Sequence, residues 1–200
     1  MNRPAMSPPL LQGARVTLEP LTLDHIAPLT AAGLHPELWA LQPKAICSEA
    51  DMRDYVEQAL NDHARGTALP FAVVHRATQT VVGATRFMDM ALPHRRVEIG
   101  ATWYAPSVQG TGVNAEAKLL LLTHAFETLR LQKVVLKTET LNTRSRAAIL
   151  ALGATEEGIF RRHFIAESGR LRDMVYFSIL DYEWAVVRAN LEARLRKYGV

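Results

Sequence analysis

Cysteine is nearly absent from this 200-residue sequence, in which Cys47 is the single example. One cysteine excludes an internal disulfide and a thiolate metal cluster, and it is typical of a reducing compartment. No motif surrounds Cys47, so we do not predict it to be a catalytic nucleophile. His94, His124 and His163 share no ligand spacing, and the sequence therefore predicts no metal site.

Long apolar runs are missing as well. No stretch approaches the roughly 20 apolar residues that span a bilayer. The first residues, MNRPAMSPPLLQG, contain prolines and lack a long apolar segment. This favours a flexible tail over residues 1–10 rather than a secretory signal. We therefore expect a soluble cytoplasmic protein without a membrane partner.

The composition favours a globular domain with a substantial core. Apolar residues make up 48% of the chain and the net charge is +3, which excludes the disordered class and mildly favours anionic partners. Four cations near the end of the chain, Arg188, Arg194, Arg196 and Lys197, fit a solvated helix face. A basic motif interleaved with aromatic residues is missing, so nucleic-acid binding is not expected.

The hydrophobic pattern predicts helices embedded among hairpin strands, which indicates a mixed α/β sheet. Ser48 has the residue type of an N-cap for the second helix. The predicted helices span residues 22–32, 49–64, 114–129, 143–152 and 182–197. The predicted strands span residues 15–18, 71–75, 81–88, 96–104, 133–138, 155–164 and 172–180.

The most informative segment is WYAPSVQGTGVNAEAKLLLLTHAF, in which a strand ends at Pro106 and a helix follows a short glycine loop. Glycines allow positive φ and close approach of a ligand, and a helix N-terminus offers unpaired N–H groups to a phosphate. A P-loop would need Lys-Ser or Lys-Thr after Gly112, and a dinucleotide fingerprint would need a third glycine. An ordinary strand-to-helix turn is the alternative that the loop alone leaves open.

The segment resembles the coenzyme A signature of the GNAT superfamily of N-acetyltransferases, Gln/Arg-x-x-Gly-x-Gly/Ala after a proline-led turn. The signature is filled by Gln109, Gly110, Thr111, Gly112, Val113 and Asn114. Asn114 departs from the usual Gly or Ala. Asparagine tolerates left-handed backbone and caps helices, so we expect the backbone role to be kept.

A second motif, TLNTRSRAAILALGATEEGIFRRHF, is similar to the Asn-x-x-Ser helix and Glu-Gly step of the RimJ/RimL branch, the ribosomal-protein N-terminal acetyltransferase type. The opening GARVTLEPLTLDHIAPL also resembles that branch. The resemblance covers residues 11–182, which we interpret as one GNAT domain, with residues 183–200 as a helix packed on it or extending it. It implies a mixed, mainly antiparallel twisted sheet with flanking helices and a splayed pair of central strands.

The resemblance also implies which residues bind acetyl-CoA. The pantetheine arm would lie between splayed strands 98–104 and 134–138, beside the backbone of Trp103 and Tyr104, while the signature amides would hold the pyrophosphate. Asn142 and Ser145 would line the same channel, and Ser145 would protonate the leaving thiolate. The alternatives are core packing for the Trp103 side chain and helix capping for Asn142 and Ser145.

Acetyl transfer to an amine needs a general base, and two carboxylates are candidates. Glu98 lies on the strand that leads to the loop, on the face opposite Val97 and Ile99. Its alternative is an ion pair with Arg95 or Arg96. Glu157, in the Glu-Gly step, is the second candidate base, and its alternative is a surface carboxylate.

The sequence thus predicts an acetyl-CoA-dependent N-acetyltransferase that acts on a primary amine by direct attack in a ternary complex. A protein N-terminal α-amine is the leading acceptor and a small-molecule amine the next. A non-catalytic acyl-CoA-binding regulatory module is the alternative from another class. A homodimer is also predicted, paired through the last helix and Trp184.

Overall fold

One eight-stranded sheet organises residues 6–199, the part of the chain that the computed structural model describes. Its order is β1-β2-β3-β4-β5-β6-β8-β7, and every pairing is antiparallel except β5 with β6. The strands are β1 Leu11–Gln12, β2 Val16–Pro20, β3 Leu69–His75, β4 Thr80–Ala91, β5 Arg96–Tyr104, β6 Lys133–Glu139, β7 Thr155–Ile165 and β8 Leu171–Leu180.

Helices flank the sheet on both faces. They are α1 Ile26–Gly33, α2 Pro36–Trp39, α3 Glu49–Ala64, α4 Val113–Thr123, α5 Thr143–Leu150 and α6 Trp184–Arg196. α3 begins as predicted at Ser48, whose hydroxyl accepts a 3.2 Å hydrogen bond from the Asp51 N–H. The single helix predicted for residues 114–129 is observed as α4 followed by a π-helical turn over residues 124–128. The α-helical part therefore ends at Thr123.

The two faces carry separate hydrophobic cores. Successive side chains of a strand point to opposite faces of a sheet, and β3, β4 and β5 contribute buried side chains to both cores. The face under α1 and α3 buries Leu29, Trp39, Met52, Val56 and Trp103. The face under α4 and α6 buries Phe71, Phe87, Leu121, Leu122, Phe177 and Trp184. The expected mixed, mainly antiparallel sheet with flanking helices is confirmed.

Two short elements escaped the sequence analysis. β1 is a two-residue strand at one edge of the sheet, and α2 is a single turn with Pro36 at its start. Residues 1–5 of the expected tail lie outside the described part of the chain. Met6 packs against the core, and its carbonyl lies 2.9 Å from Nε2 of His63.

The last helix packs on the domain instead of offering a free apolar face. Trp184 is buried against Phe126, with ring centroids 5.5 Å apart, and its indole N–H donates to Glu127. Trp184 is therefore not available to pair two copies, contrary to the prediction, and the dimer itself stays a prediction. Among residues 6–199, no helix combines the length and apolarity needed to cross a membrane.

Candidate active site

The central feature is an opening between β5 and β6. The two strands pair in parallel through Arg96–Lys133, Val97–Val134 and Glu98–Val135, and the ladder stops there. Both strands continue beyond this point, β5 to Tyr104 and β6 to Glu139. Their carboxyl-terminal halves therefore separate, and this splay was expected from the family resemblance.

A β-bulge shapes the β5 side of the opening. Gly100 pairs with Arg86 and Trp103 with Ala84, so Ala101 and Thr102 together oppose one residue of β4. Ala101 has a φ of 47°, an unusual value for a residue with a side chain. Tyr55 donates a 3.2 Å hydrogen bond to the Ala101 carbonyl. The bulge changes the direction of the β5 backbone just after the residue at which its pairing with β6 ends.

The signature loop is braced by its own side chains. The amide of Gln109 donates to the Tyr104 carbonyl at 2.9 Å, and the hydroxyl of Thr111 donates to the Val108 carbonyl at 2.6 Å. Gly110 and Gly112 have φ values of 80° and 91°, in the left-handed region that favours glycine. These contacts fix the loop against the end of β5 and direct the chain into α4.

The N-terminus of α4 is capped by backbone geometry. Gly112 is the N-cap residue, and Val113 and Asn114 lie in the first turn. The left-handed N-cap conformation is adopted by Gly112 and not by Asn114, one residue before the helix begins, and the backbone role of Asn114 stays a prediction. The unpaired N–H groups of this turn form an anion-binding end.

The side chains of Trp103 and Tyr104 both belong to the cores. Trp103 packs against Trp39, with ring centroids 5.3 Å apart, on the α1/α3 face. Tyr104 is buried in the opposite core, and burial raises its pKa. Core packing of Trp103 is confirmed, and only the backbone of the two residues borders the opening.

Asn142 and Ser145 lie just beyond the end of β6. The Oδ1 atom of Asn142 accepts a 3.0 Å hydrogen bond from the Ser145 N–H and caps α5. Capping by Asn142, left open by the sequence, is confirmed. Ser145 is half-buried in the first helical turn, on the β6 side of the opening.

Glu98 sits at the base of the opening, where the parallel ladder ends. The residue is 3% exposed, and its carboxylate pairs with the Lys137 ammonium at 2.8 Å. Burial raises the pKa of Glu98, while the charge and hydrogen bond of Lys137 oppose the rise. The alternative of an ion pair between Glu98 and Arg95 or Arg96 is wrong. Arg96 pairs with Asp89, and the Arg95 side chain donates a hydrogen bond to the Arg130 carbonyl.

Glu157 is held away from the opening. Its carboxylate pairs with Lys133 and accepts a 2.8 Å hydrogen bond from Ser178. The hydrogen bond from Lys133 lowers the pKa of Glu157. Lys133 is the first residue of β6, at the paired end of the β5–β6 ladder, so Glu157 belongs to a surface ion pair.

Aromatic residues of β7 and β8 surround Lys137, which the sequence analysis did not identify. The Lys137 ammonium lies 5.3 Å from the ring centroid of Phe164 and 5.8 Å from that of Tyr176. The Tyr176 hydroxyl lies 3.1 Å from Nε2 of His163. Phe164 and Tyr176 lie in two of the predicted strands, but their position beside Lys137 depends on the order of the strands in the sheet.

A second ion-pair cluster closes one side of the opening. Glu139 is 2% exposed and pairs with both Arg170 and Arg172. Arg172 also donates to the Leu41 carbonyl at 3.0 Å, and the Glu167 N–H donates to the carbonyl of residue 43 at 2.9 Å. The segment between α2 and α3 is therefore tied to the β7–β8 turn beside the end of β6.

Residues suited to a metal ion are not grouped anywhere between Met6 and Gly199. Cys47 is exposed at the start of α3, remote in sequence from the β5–β6 opening. The chemistry that the arrangement supports is binding of an extended ligand with an anionic end, beside a buried carboxylate.

Comparison with known proteins gives concordant results. YdaF of Bacillus subtilis (strain 168), a candidate ribosomal N-acetyltransferase, is 37% identical over 91 residues, which cover 46% of this chain and about half (49%) of that protein. The ribosomal-protein-serine acetyltransferase of Escherichia coli (strain K12) is 27% identical over 143 residues, covering 70% of this chain and 78% of that protein. The crystal structure of a GCN5-related N-acetyltransferase from Brucella melitensis is 27% identical, covers 96% of this chain and 87% of that one, and superposes with a TM-score of 0.88.

A protein-family model described as an acetyltransferase (GNAT) domain matches residues 15–155. The match spans α1 to α5 and includes the splayed strands, the glycine loop and the Asn142 cap. The resemblance to ribosomal-protein acetyltransferases is confirmed by the relatives. The chain therefore belongs to the GNAT family, and it is an acyl-CoA-dependent N-acetyltransferase.

Proposed function

We propose that the chain transfers acetyl from acetyl-CoA to a protein N-terminal α-amine in the cytoplasm. Two relatives named for ribosomal acetylation support a protein acceptor. The segment between α2 and α3 and the β7–β8 turn stand beside the end of β6 and would form the acceptor surface. A single exposed cysteine suits a reducing compartment.

Acetyl-CoA would lie along the opening between β5 and β6. The freed backbone of β5 near Trp103 and Tyr104 would hydrogen-bond the pantetheine arm, and Asn142 and Ser145 would border it from α5. The pyrophosphate would be held by the backbone of the signature residues Gln109, Gly110, Thr111, Gly112, Val113 and Asn114. The positive φ values of both glycines and the free first turn of α4 support this placement.

Glu98 would act as the general base. It would accept a proton from the acceptor ammonium, so that the neutral amine attacks the thioester carbonyl directly. A buried carboxylate with a raised pKa is better matched to this task near neutral pH than an ordinary surface carboxylate. Ser145 would return a proton to the departing thiolate, and no covalent enzyme intermediate would form.

One observation carries this mechanism: Glu98 is buried at the residue where the β5–β6 ladder ends. The same observation favours a catalyst over a regulatory module that only binds acyl-CoA. Such a module would have no use for a buried carboxylate at the base of the opening, since burying a charge is costly.

The test is thiol release from acetyl-CoA with a panel of N-terminal peptides and small amines, followed by kinetics on the best acceptor. General-base catalysis contributes about 10²–10⁴ in rate, so Glu98→Gln should lower kcat by that order. Glu157→Gln is the matched control and Cys47→Ala a second one; both should retain wild-type kcat. Wild-type kcat in Glu98→Gln would show that Glu98 is not the base, and no turnover with any amine would favour the regulatory alternative.

A further inference from the structure

An amine of the chain itself lies beside the proposed general base. The Lys137 ammonium contacts the Glu98 carboxylate at 2.8 Å. Glu98 is the last residue of β5 that pairs with β6, opposite Val135, and Lys137 follows Val135 by two residues. Lys137 therefore belongs to the part of β6 that has separated from β5, where acetyl-CoA is proposed to lie. Its side chain is 20% exposed, so the ammonium is shielded from most solvent and still accessible to a ligand.

The surroundings of the Lys137 ammonium are those that an acceptor ammonium needs. The Glu98 carboxylate is within hydrogen-bond distance and can accept a proton from it. The ring centroids of Phe164 and Tyr176 lie 5.3 Å and 5.8 Å away and favour a cation at this position. An amine that the chain holds in place also has a far higher effective concentration than a free amine. Lys137 thus occupies the position in which the proposed mechanism places its acceptor.

The other four lysines of the chain are placed differently. Lys133 lies at the paired end of the β5–β6 ladder and contacts Glu157. Lys118 is buried under α4, on the face of the sheet opposite to that of the base. Lys44 and Lys197 are exposed, the first just before α3 and the second at the end of α6. Within residues 6–199, none of these four combines a position in the opening with contact to the base.

Resting on the proposed function, with acetyl-CoA in the opening and Glu98 as the base, we propose that Nζ of Lys137 is a self-acetylation site of this enzyme. Glu98 takes one proton from the ammonium, and the neutral amine attacks the thioester carbonyl of acetyl-CoA. The N–C bond forms, the C–S bond breaks, and the second amine proton passes to the departing thiolate. The products are acetylated Lys137, coenzyme A and one proton, which Glu98 releases to solvent.

Acetylated Lys137 is an end product and no intermediate of turnover, because an amide does not pass its acetyl group to a second amine. The modification removes the Lys137 charge and leaves an acetyl group beside Glu98, where the acceptor amine binds in the proposed mechanism. Acetyl-CoA without an acceptor therefore lowers the activity of the enzyme. An acceptor amine uses the same base and protects Lys137.

A purely electrostatic role of Lys137 predicts a different result. If this lysine only offsets the buried charge of Glu98, it stays a free amine in the presence of acetyl-CoA. Acetyl-CoA also acetylates lysines without catalysis, and this chemical reaction favours the more exposed amine. The Lys44 side chain is 49% exposed, against 20% for Lys137, and is the reference within the same protein.

The experiment incubates the full chain with acetyl-CoA alone and follows the acetylation of each lysine by peptide mass spectrometry. Base catalysis contributes about 10²–10⁴ in rate, so Lys137 should be acetylated at least about tenfold faster than Lys44. Glu98→Gln should slow the acetylation of Lys137 by the full factor. Lys133→Arg, on the same strand, is the matched control and should leave it unchanged. Equal rates at Lys137 and Lys44, or an unchanged rate in Glu98→Gln, would overturn the proposal.

Lys137→Arg provides a second arm, because it keeps the positive charge beside Glu98 and removes the amine. Preincubation with acetyl-CoA should lower the later kcat of the wild type on the best peptide acceptor, and it should leave the kcat of Lys137→Arg at its own starting value. An equal loss in both proteins would contradict the proposal. An unmodified Lys137 in an enzyme that acetylates peptides would refute self-acetylation and leave the proposed function intact. Absence of both acetyl-CoA binding and thiol release would refute the two together.

Discussion

Nζ of Lys118 donates a 2.8 Å hydrogen bond to Oγ1 of Thr102, in the bulge of β5 that borders the opening. The Thr102 hydroxyl also lies 2.8 Å from that of Thr85 on the neighbouring strand. Lys118 is 5% exposed and pairs with no carboxylate in the described chain. Burial lowers its pKa to about 7, far below the usual value of a lysine. The buried amine of Lys118 on α4 thus supports the part of the β5 backbone that is proposed to hold the coenzyme.

Lys118 should make the protein more stable as the pH rises from 7 to 10. In this range the unfolded state keeps the lysine proton while the folded state loses it, so the free energy of unfolding increases by up to about 1.4 kcal/mol per pH unit. Urea denaturation at pH 7, 8 and 9 measures the slope, and Lys118→Met should flatten it. The same slope in both proteins would show that the lysine is charged in the folded state.

Glu116 should stabilise the junction between β1 and α4. Its carboxylate accepts N–H hydrogen bonds from Ala14 at 3.0 Å, Arg15 at 2.7 Å and Val16 at 2.7 Å. Hydrogen bonds to a charged group are stronger than neutral ones, so Glu116→Gln should cost about 1–3 kcal/mol in urea unfolding. The control Glu192→Gln removes an exposed carboxylate of α6 and should cost under about 1 kcal/mol. Equal losses would mean that the three N–H groups find other acceptors.

Local signals placed the elements that carry the proposed site. The start of α3 followed from Ser48 as an N-cap, and the strand before Pro106 and the glycine loop were found at their observed positions. Gly110 and Gly112 do adopt the positive φ that their residue type allows. These features depend on a few neighbouring residues, so the sequence is sufficient to predict them.

Long-range features could not be predicted in the same way. The pairing of Glu98 with Lys137 depends on the register of two parallel strands that are separated by α4. The sequence does not indicate that Lys118 is buried, because a lysine in a helix normally faces solvent and its burial is decided by the sheet beneath α4. The sequence predicts a surface position for Trp184, because no local signal indicates that Phe126 covers it.

The two glycines of the signature loop should respond differently to alanine. At Gly110 a side chain would meet open space, so Gly110→Ala should cost only the strain of positive φ, about 1–2 kcal/mol. Gly112→Ala has the same strain and in addition presses on Tyr198, so it should lose more stability and more coenzyme A affinity. Adding Tyr198→Ala to Gly112→Ala should recover the excess loss of stability, as measured by a double-mutant cycle. Equal stability of the two single variants would contradict a close contact between Gly112 and Tyr198.

The pH dependence of catalysis should report on Lys137. The base must be ionised to accept a proton, so kcat/KM falls as the pH drops through the pKa of Glu98. Burial raises this pKa and Lys137 lowers it. Lys137→Met removes the opposing charge but keeps the burial, so the acidic limb of the profile should move to higher pH by about one unit.

Lys133→Met is the matched control for this shift. Lys133 lies on the same strand and pairs with Glu157 instead of Glu98. Its removal raises the pKa of Glu157, because the hydrogen bond from Lys133 is what lowers it. If Glu98 is the base, the acidic limb stays in place in Lys133→Met and moves only in Lys137→Met. A limb that moves in Lys133→Met alone would transfer the role of base to Glu157, since each lysine acts at short range on its own carboxylate.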